Sequence, residues 1–206
     1  MQKYTFDVYH ASLKKVYQLE YMAKDIMQNV IPVKHIRKTG RALTLEEQKY
    51  FLKVIAGNKL ENLYKFYLLT GVRMSEALNI SKNDINFKNN TIHIRGTKTS
   101  SSDRFLPIFT PLKRILESVH TKDLLFDYTA NAVICNFKRL KKKYNFNFTI
   151  HSLRHTFATR CLEMGINIKI VQNWLGHSKI DATASIYSHI QSEFEQSETK
   201  KFNMQI

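Results

Sequence analysis

The sequence is poor in three features that mark other classes of protein. Its 2 cysteines, Cys135 and Cys161, are too few for a disulfide framework and do not form a Cys-x-x-Cys pair. We therefore expect both as reduced thiols within helices. No run approaches the roughly 18 consecutive apolar residues of a membrane span, and the N-terminus lacks the apolar core of a signal peptide. These absences predict a cytoplasmic protein without a membrane segment.

Acidic residues are also scarce. The chain has 17 Asp and Glu against 32 Lys and Arg, which gives a net charge of +15 and a pI of about 9.8. Such an excess predicts a polyanionic partner, with nucleic acid the leading class and an anionic membrane surface the second. The 206 residues, 43% of them hydrophobic, suffice for one buried core, or for one domain with an appendage.

Apolar spacing predicts helices over most of the chain and strands in one region. A Thr-x-x-Glu capping box at Thr44 marks the start of the first helix of the main domain. The predicted strands are short and alternating, and they cover residues 85–87, 91–95 and 104–108. The predicted helices lie within 6–30, at 45–56 and 60–70, just after Arg73, at 110–120 and 131–143, from 151 to about 164, at 168–175 and around Tyr187. We therefore expect an α+β fold, mostly α-helical with a small three-stranded antiparallel sheet.

The segment 149–190 concentrates reactive and phosphate-binding side chains. His151 and Arg154 lie three residues apart on one predicted helix, so an imidazole and a planar guanidinium point the same way and can reach one anion. A Leu-Gly-His sequence follows, with His177, and a tyrosine comes ten residues later at Tyr187. A phenol in that position is a candidate nucleophile. In this segment Leu162, Ile166, Ile170 and Val171 are expected in the core, as is Trp174.

This pattern resembles the tyrosine recombinases, the phage integrase family. Upstream, the sequence Thr-Gly-Val-Arg-Met-Ser-Glu at 70–76 is similar to the family's first arginine motif, and Lys98 in a polar turn is similar to its hairpin lysine. The motifs occur in family order, and the resemblance covers roughly residues 40–190. It implies the tyrosine recombinase catalytic-domain fold.

The resemblance also implies a catalytic set, namely Arg73, Lys98, His151, Arg154, His177 and Tyr187. In the implied reaction Tyr187 attacks a DNA phosphodiester and forms a 3′-phosphotyrosyl link, which a 5′-hydroxyl later reverses. The arginines and His177 would stabilise charge on the phosphate, His151 would be the base or orient the phosphate, and Lys98 would be the acid. Glu76, three residues after Arg73, is expected to hold that guanidinium or a neighbouring group by a charge-assisted hydrogen bond. Bond energy is kept in the covalent intermediate, so we expect no ATP, metal or other cofactor.

Three parts of the chain follow from the resemblance. Residues 1–36 would be a partial helical core-binding region with a basic linker, 37–190 the catalytic domain, and 191–206 a mobile C-terminal tail. The first part would then be the end of a longer DNA-clamping domain, and the alternative is an N-terminal helix that only packs on the main domain; the sequence leaves both open. The expected partner is double-stranded DNA carrying attachment sites, bound by a homotetramer, with a monomer as the alternative when DNA is absent. Basic residues in the linker and in the helix at 131–143 are candidate DNA contacts, namely Arg37, Lys38, Arg41, Lys138, Arg139 and Lys142.

Several alternatives stay open from the sequence. A non-enzymatic DNA-binding protein could keep the same basic fold, and a type IB topoisomerase would use similar chemistry as a monomer. His151 and His155 have the i, i+4 spacing of a zinc site, but no Glu lies between them and Arg154 stands in the same turn, which argues against a metal.

Overall fold

The computed structural model describes residues 9, 11–13, 15, 40–96, 103–119 and 123–176. The chain divides into two compact units, Met1–Thr39 and Gly40–Ile206. In the first unit the described residues are helical. In the second, the elements in chain order are α1 (Leu45–Ile55), α2 (Glu61–Thr70), α3 (Met74–Leu78), a short 3-10 turn (Lys82–Asp84), β1 (Ile85–Asn86), β2 (Thr91–Ile94), β3 (Arg104–Pro107), α4 (Thr110–Ser118), α5 (Ala130–Tyr144), α6 (Ile150–Glu163) and α7 (Ile168–Leu175).

Helix α2 lies at the centre of the second unit. Six of its side chains are buried, while Glu61, Lys65 and Leu69 on the remaining face are partly exposed. It packs against α6 and α4. One large cluster of buried side chains includes residues from each of the helices α1 through α6 and from the sheet. A smaller cluster lies between α6 and α7. The central position of α2 places its C-terminal end beside the start of α6 and the end of α7.

The start of α1 is capped as its sequence predicts. The Thr44 hydroxyl accepts from the amide of Glu47 at 3.1 Å, and the Glu47 carboxylate accepts from the amide of Thr44 at 2.9 Å. The amide of Leu43 donates to the Thr156 hydroxyl of α6 at 2.9 Å, so this segment is also tied to the core. The capping box thus marks the first helix of the main domain.

The three strands form one antiparallel sheet in the order β1-β2-β3. Ile92 pairs with Leu106, and Ile94 pairs with Arg104, and all four side chains are buried on one face. On the other face the rings of His93 and Phe105 stack 4.7 Å apart. Arg104 is therefore an inward-facing charge among apolar neighbours.

The predicted fold class is confirmed, since the described residues form a mostly helical unit with a three-stranded antiparallel sheet. Cys135 and Cys161 are free thiols within α5 and α6, as expected. Leu162 and Val171 are buried, but the expectation for Ile170 was wrong because its side chain is 46% exposed. No helix in the described ranges is long and apolar enough to cross a membrane.

Candidate active site

A pocket of about 220 Å³ gathers residues from three separate segments of the chain. Arg73 and Met74 come from the start of α3, His151 and Arg154 from α6, and Tyr67 from α2. Half of the predicted catalytic set therefore meets in one cavity. The other half, Lys98, His177 and Tyr187, lies outside the described residues.

Arg73 stands at the N-terminal end of α3, where its position depends on Glu76. The Glu76 carboxylate accepts from the Arg73 amide at 2.8 Å and from its guanidinium Nη1 at 2.7 Å. Arg73 Nη2 donates to the Gly176 carbonyl at 3.1 Å. The Arg73 side chain is still 41% exposed, while that of Glu76 is 1% exposed. The predicted charge-assisted hydrogen bond is present, and it leaves the cation facing the pocket and solvent.

Glu76 is ionised although it is buried. Burial alone would raise the pKa of this carboxyl, but hydrogen bonds and charge from Arg104, together with the amide and guanidinium of Arg73, hold its pKa below the ordinary value. It accepts from Arg104 Nη2 at 2.9 Å and Nη1 at 3.2 Å. Glu76 is thus a buried anion shared by two arginines.

Arg154 is 5% exposed and is held by backbone oxygens. Its Nη1 donates to the Gly71 carbonyl at 2.6 Å, and its Nη2 donates to the Leu175 carbonyl at 2.7 Å. Burial and the nearby charge of Arg73 lower its pKa to about 9, so the guanidinium stays charged at neutral pH. Arg154 also lines the pocket, and a guanidinium has five N–H groups, of which these two bonds use two.

His151 lies in the first turn of α6, and its ring meets that of His155 edge to face at 5.0 Å. Burial, followed by the charges of Arg154 and Arg73, lowers the pKa of His151 below 6.5. The imidazole is therefore largely neutral at pH 7 and able to accept a proton. No group of three or more metal-ligating side chains occurs in the described ranges.

Tyr67 is a pocket residue that the sequence did not single out. Its hydroxyl is buried and has no hydrogen-bond partner among the described residues. Burial raises the pKa of this phenol, so it stays protonated at neutral pH. Its place at an apolar position of α2 makes it look like a core aromatic in the sequence.

Arg104 is the other residue that the sequence analysis missed. Its Nε donates to the Trp174 carbonyl at 2.5 Å, besides the two bonds to Glu76. Strand alternation could have revealed it, because Arg104 lies two residues from the apolar Leu106 and alternate residues of a strand share a face. An arginine on the core face of a strand needs a buried partner.

The candidate DNA contacts fall into three groups: exposed residues of α5, one arginine that is already paired, and two residues that the structure does not describe. Lys138, Arg139 and Lys142 are exposed on α5. The Arg41 guanidinium, by contrast, pairs with both carboxylate oxygens of Glu47 at 2.5 Å, so the fork that would meet a phosphate is occupied. Arg37 and Lys38 lie outside the described residues.

Comparison with known proteins agrees with the motif pattern. The sequence model of the phage integrase family matches residues 41–193, about three quarters of the chain. The chain belongs to the phage integrase family. Among curated relatives it is 33% identical over 159 residues to tyrosine recombinase XerA of Saccharolobus solfataricus, covering 75% of this chain and 54% of the relative. It is 32% identical over 155 residues to a probable integrase/recombinase of Acholeplasma phage L2, covering 69% and 53%.

The fold is also that of solved integrases. The Tn1549 transposon integrase, in complex with a circular intermediate DNA, superposes with a TM-score of 0.71 at 23% identity, covering 91% of this chain and 76% of that chain. The integrase-family chain spans little more than half the length of the two curated relatives above.

Proposed function

We propose that the chain is the catalytic part of a site-specific DNA recombinase of the phage or mobile-element integrase type. It would cleave and rejoin DNA through a 3′-phosphotyrosyl intermediate. The observation that carries this proposal is the pocket in which Arg73, His151 and Arg154 meet from separate segments. An excess of positive charge in a small pocket favours an anion of phosphate size.

The pocket fits a phosphodiester whose charge grows during the reaction. Arg73 and Arg154 would donate to the non-bridging oxygens, and His177 would add a further donor. Because both guanidinium groups are already held by protein oxygens, they need little reorganisation as charge develops. Removing one such donor typically lowers the rate by about 10² to 10³.

The proton transfers follow from the residue types. Tyr187, whose free phenol has a pKa of about 10, would lose its proton to His151 as its oxygen attacks phosphorus. The bond from phosphorus to the 5′-oxygen breaks, and Lys98 protonates the departing 5′-oxygen. A 5′-hydroxyl of another strand then gives its proton to Lys98 and attacks the phosphotyrosyl phosphorus, the bond from phosphorus to the tyrosine oxygen breaks, and His151 returns the proton to Tyr187. The lowered pKa of His151 supports the base role, since the neutral ring can accept.

The partners follow from the same chemistry. The substrate would be double-stranded DNA carrying attachment sites, in the cytoplasm, with four copies of the chain exchanging strands on two paired sites. The net charge of +15 supports a DNA partner. The reaction conserves phosphodiester bonds, so it needs no ATP.

Covalent trapping tests the proposal. The chain and a Tyr187→Phe variant would each be incubated with nicked duplexes of randomised sequence, in which cleavage near the nick releases a short 5′-hydroxyl fragment. We expect a denaturant-resistant adduct at a DNA 3′ end that is absent from the variant, and sequencing of trapped DNA would give the target. Salt-sensitive DNA binding by both proteins without any adduct would instead favour the non-enzymatic DNA-binding protein.

A further inference from the structure

Arg104 is a charged residue in an apolar setting. Its side chain is 2% exposed, and it lies on the face of the sheet that also carries Ile94 and Leu106. A charge in such a position is tolerated only when its donors are matched by acceptors. Its acceptors show what the residue joins.

The Arg104 guanidinium connects three elements. Two of its nitrogens bind the two carboxylate oxygens of Glu76 in α3, at 2.9 and 3.2 Å. Its Nε donates to the Trp174 carbonyl near the end of α7 at 2.5 Å. One rigid planar group on β3 therefore sets the spacing between α3 and α7.

The end of α7 is held by three arginines. The last carbonyls of a helix have no partner within it, and they form the negative end of the helix dipole. Here three successive carbonyls accept from guanidinium groups of different segments, with Trp174 bound by Arg104, Leu175 by Arg154, and Gly176 by Arg73. The next residue in the chain is His177.

Arg104 also affects Arg73 through their shared carboxylate. Glu76 Oε1 accepts from Arg73 Nη1 at 2.7 Å and from Arg104 Nη1 at 3.2 Å. Without Arg104 the buried carboxylate would have only Arg73 as a charged partner among the described contacts. The half-exposed Arg73 guanidinium would then be drawn inward, away from the pocket.

We propose that Arg104 is a positioning residue that fixes the end of α7 relative to Glu76 and Arg73. This role rests on the proposed function, since it matters for the rate only if the pocket holds a reacting phosphate. Arg104 itself does not line the pocket. It acts through the residues that do.

The test compares two Arg104 variants with a matched control. Arg104→Met removes all of its polar contacts, whereas Arg104→Lys keeps a charge for Glu76 but cannot bind both the carboxylate and the Trp174 carbonyl as a fork. The control is Arg160→Met. Arg160 is also mostly buried, and it donates to the Glu163 carboxylate, the Gln48 side chain and the Leu43 carbonyl, away from the pocket.

The first readout needs no activity. Trp174 is the only tryptophan of the chain, so the intrinsic fluorescence reports on the end of α7. We expect greater quenching by acrylamide in both Arg104 variants, and quenching like wild type in Arg160→Met. Thermal unfolding identifies any variant that fails to fold. If Arg104→Met fails to fold, Arg104→Lys still tests the proposal.

The second readout is the rate constant of adduct formation, expressed per active molecule. It is measured at a saturating concentration of the nicked duplexes whose sequences were recovered by trapping. We expect it to fall by about 10- to 100-fold in Arg104→Lys, because small displacements of reacting groups cost that much. DNA affinity should be unchanged, and Arg160→Met should keep the wild-type rate constant even if its thermal stability falls.

Each result has one meaning. An Arg104→Lys protein with wild-type quenching and a wild-type rate constant would overturn the proposal, as would changes no larger than those of Arg160→Met. If the wild-type chain forms no adduct, the recombinase function fails. The fluorescence comparison would then still decide whether Arg104 fixes the end of α7.

Discussion

Arg154, Arg73 and His151 form a pocket whose charge is set by their own neighbours. The two guanidinium groups are held by protein oxygens. Burial is the main cause of the lowered pKa of His151, and the charges of the two arginines lower it further. At neutral pH the pocket therefore combines two cations with one neutral imidazole. That combination suits an incoming phosphodiester and a tyrosine that must lose its proton.

His155 gives a prediction for stability against pH. Burial, then the charges of His151 and Arg154, lowers its pKa to about 4. Between about pH 6.5 and 4 the unfolded chain binds this proton and the folded chain does not, so the free energy of unfolding should fall as pH falls through that window. We expect a loss of about 2 kcal/mol after allowance for partial exposure.

Urea unfolding of wild type and His155→Gln across that range measures the effect. The variant should lose that part of the acid dependence and keep its stability at neutral pH within about 1 kcal/mol. Parallel pH curves for the two proteins would contradict the assignment to His155.

At the scale of the elements, the packing around Gly71 explains why the Thr-Gly-x-Arg motif has a glycine at its second position. It ends α2 with φ of 61°, and its amide donates to the Tyr67 carbonyl at 2.9 Å. A Cβ there would lie 2.5 Å from the Phe157 ring and 2.8 Å from Leu175. Its carbonyl binds Arg154. The glycine therefore lets three helices meet where the pocket is built.

Gly71→Ala should destabilise the fold by about 3 kcal/mol, from backbone strain together with overpacking. Gly57→Ala is the control, because Gly57 has φ of 75° but no neighbour within 4 Å of a Cβ. It should lose only the strain, about 1 kcal/mol. Urea unfolding measures both losses, and equal losses in the two variants would exclude close packing at Gly71 as the cause.

Sequence patterns predicted the elements well because most of them have clear periodicity or caps. Helix α1 has its capping box, and β2 and β3 alternate apolar and polar residues. The misses come from tertiary contacts. Ile170 was assigned to the core from spacing alone, and Arg104 was overlooked because its partners, Glu76 and Trp174, are distant in sequence. The roles of Lys98, His177 and Tyr187 rest on motif resemblance and stay predictions.

At the scale of the whole molecule, the charge of +15 should govern DNA affinity. Helix α5 ends in a run of exposed lysines, while Phe146 and Phe148, which follow it, are buried in the core. The two phenylalanines that follow this run therefore serve packing, and the exposed lysines are the part of it that we propose contacts a phosphate backbone.

Lys142→Ala tests that surface. Loss of one phosphate contact should reduce the slope of log K against log salt concentration by about 0.9, with a uniform loss of affinity across DNA sequences. Lys59→Ala is the control, since Lys59 lines a separate cavity with Tyr128. Fluorescence anisotropy over a salt series gives both slopes. An unchanged slope in Lys142→Ala would remove α5 from the proposed interface.

Locating the covalent link tests the account most directly. After trapping and nuclease treatment, trypsin should release residues 180–200 as a peptide whose only tyrosine is Tyr187. We predict that mass spectrometry finds the residual nucleotide on this peptide. Its presence instead on residues 66–73, which carry the pocket phenol Tyr67, or on no peptide at all, would contradict Tyr187 as the nucleophile.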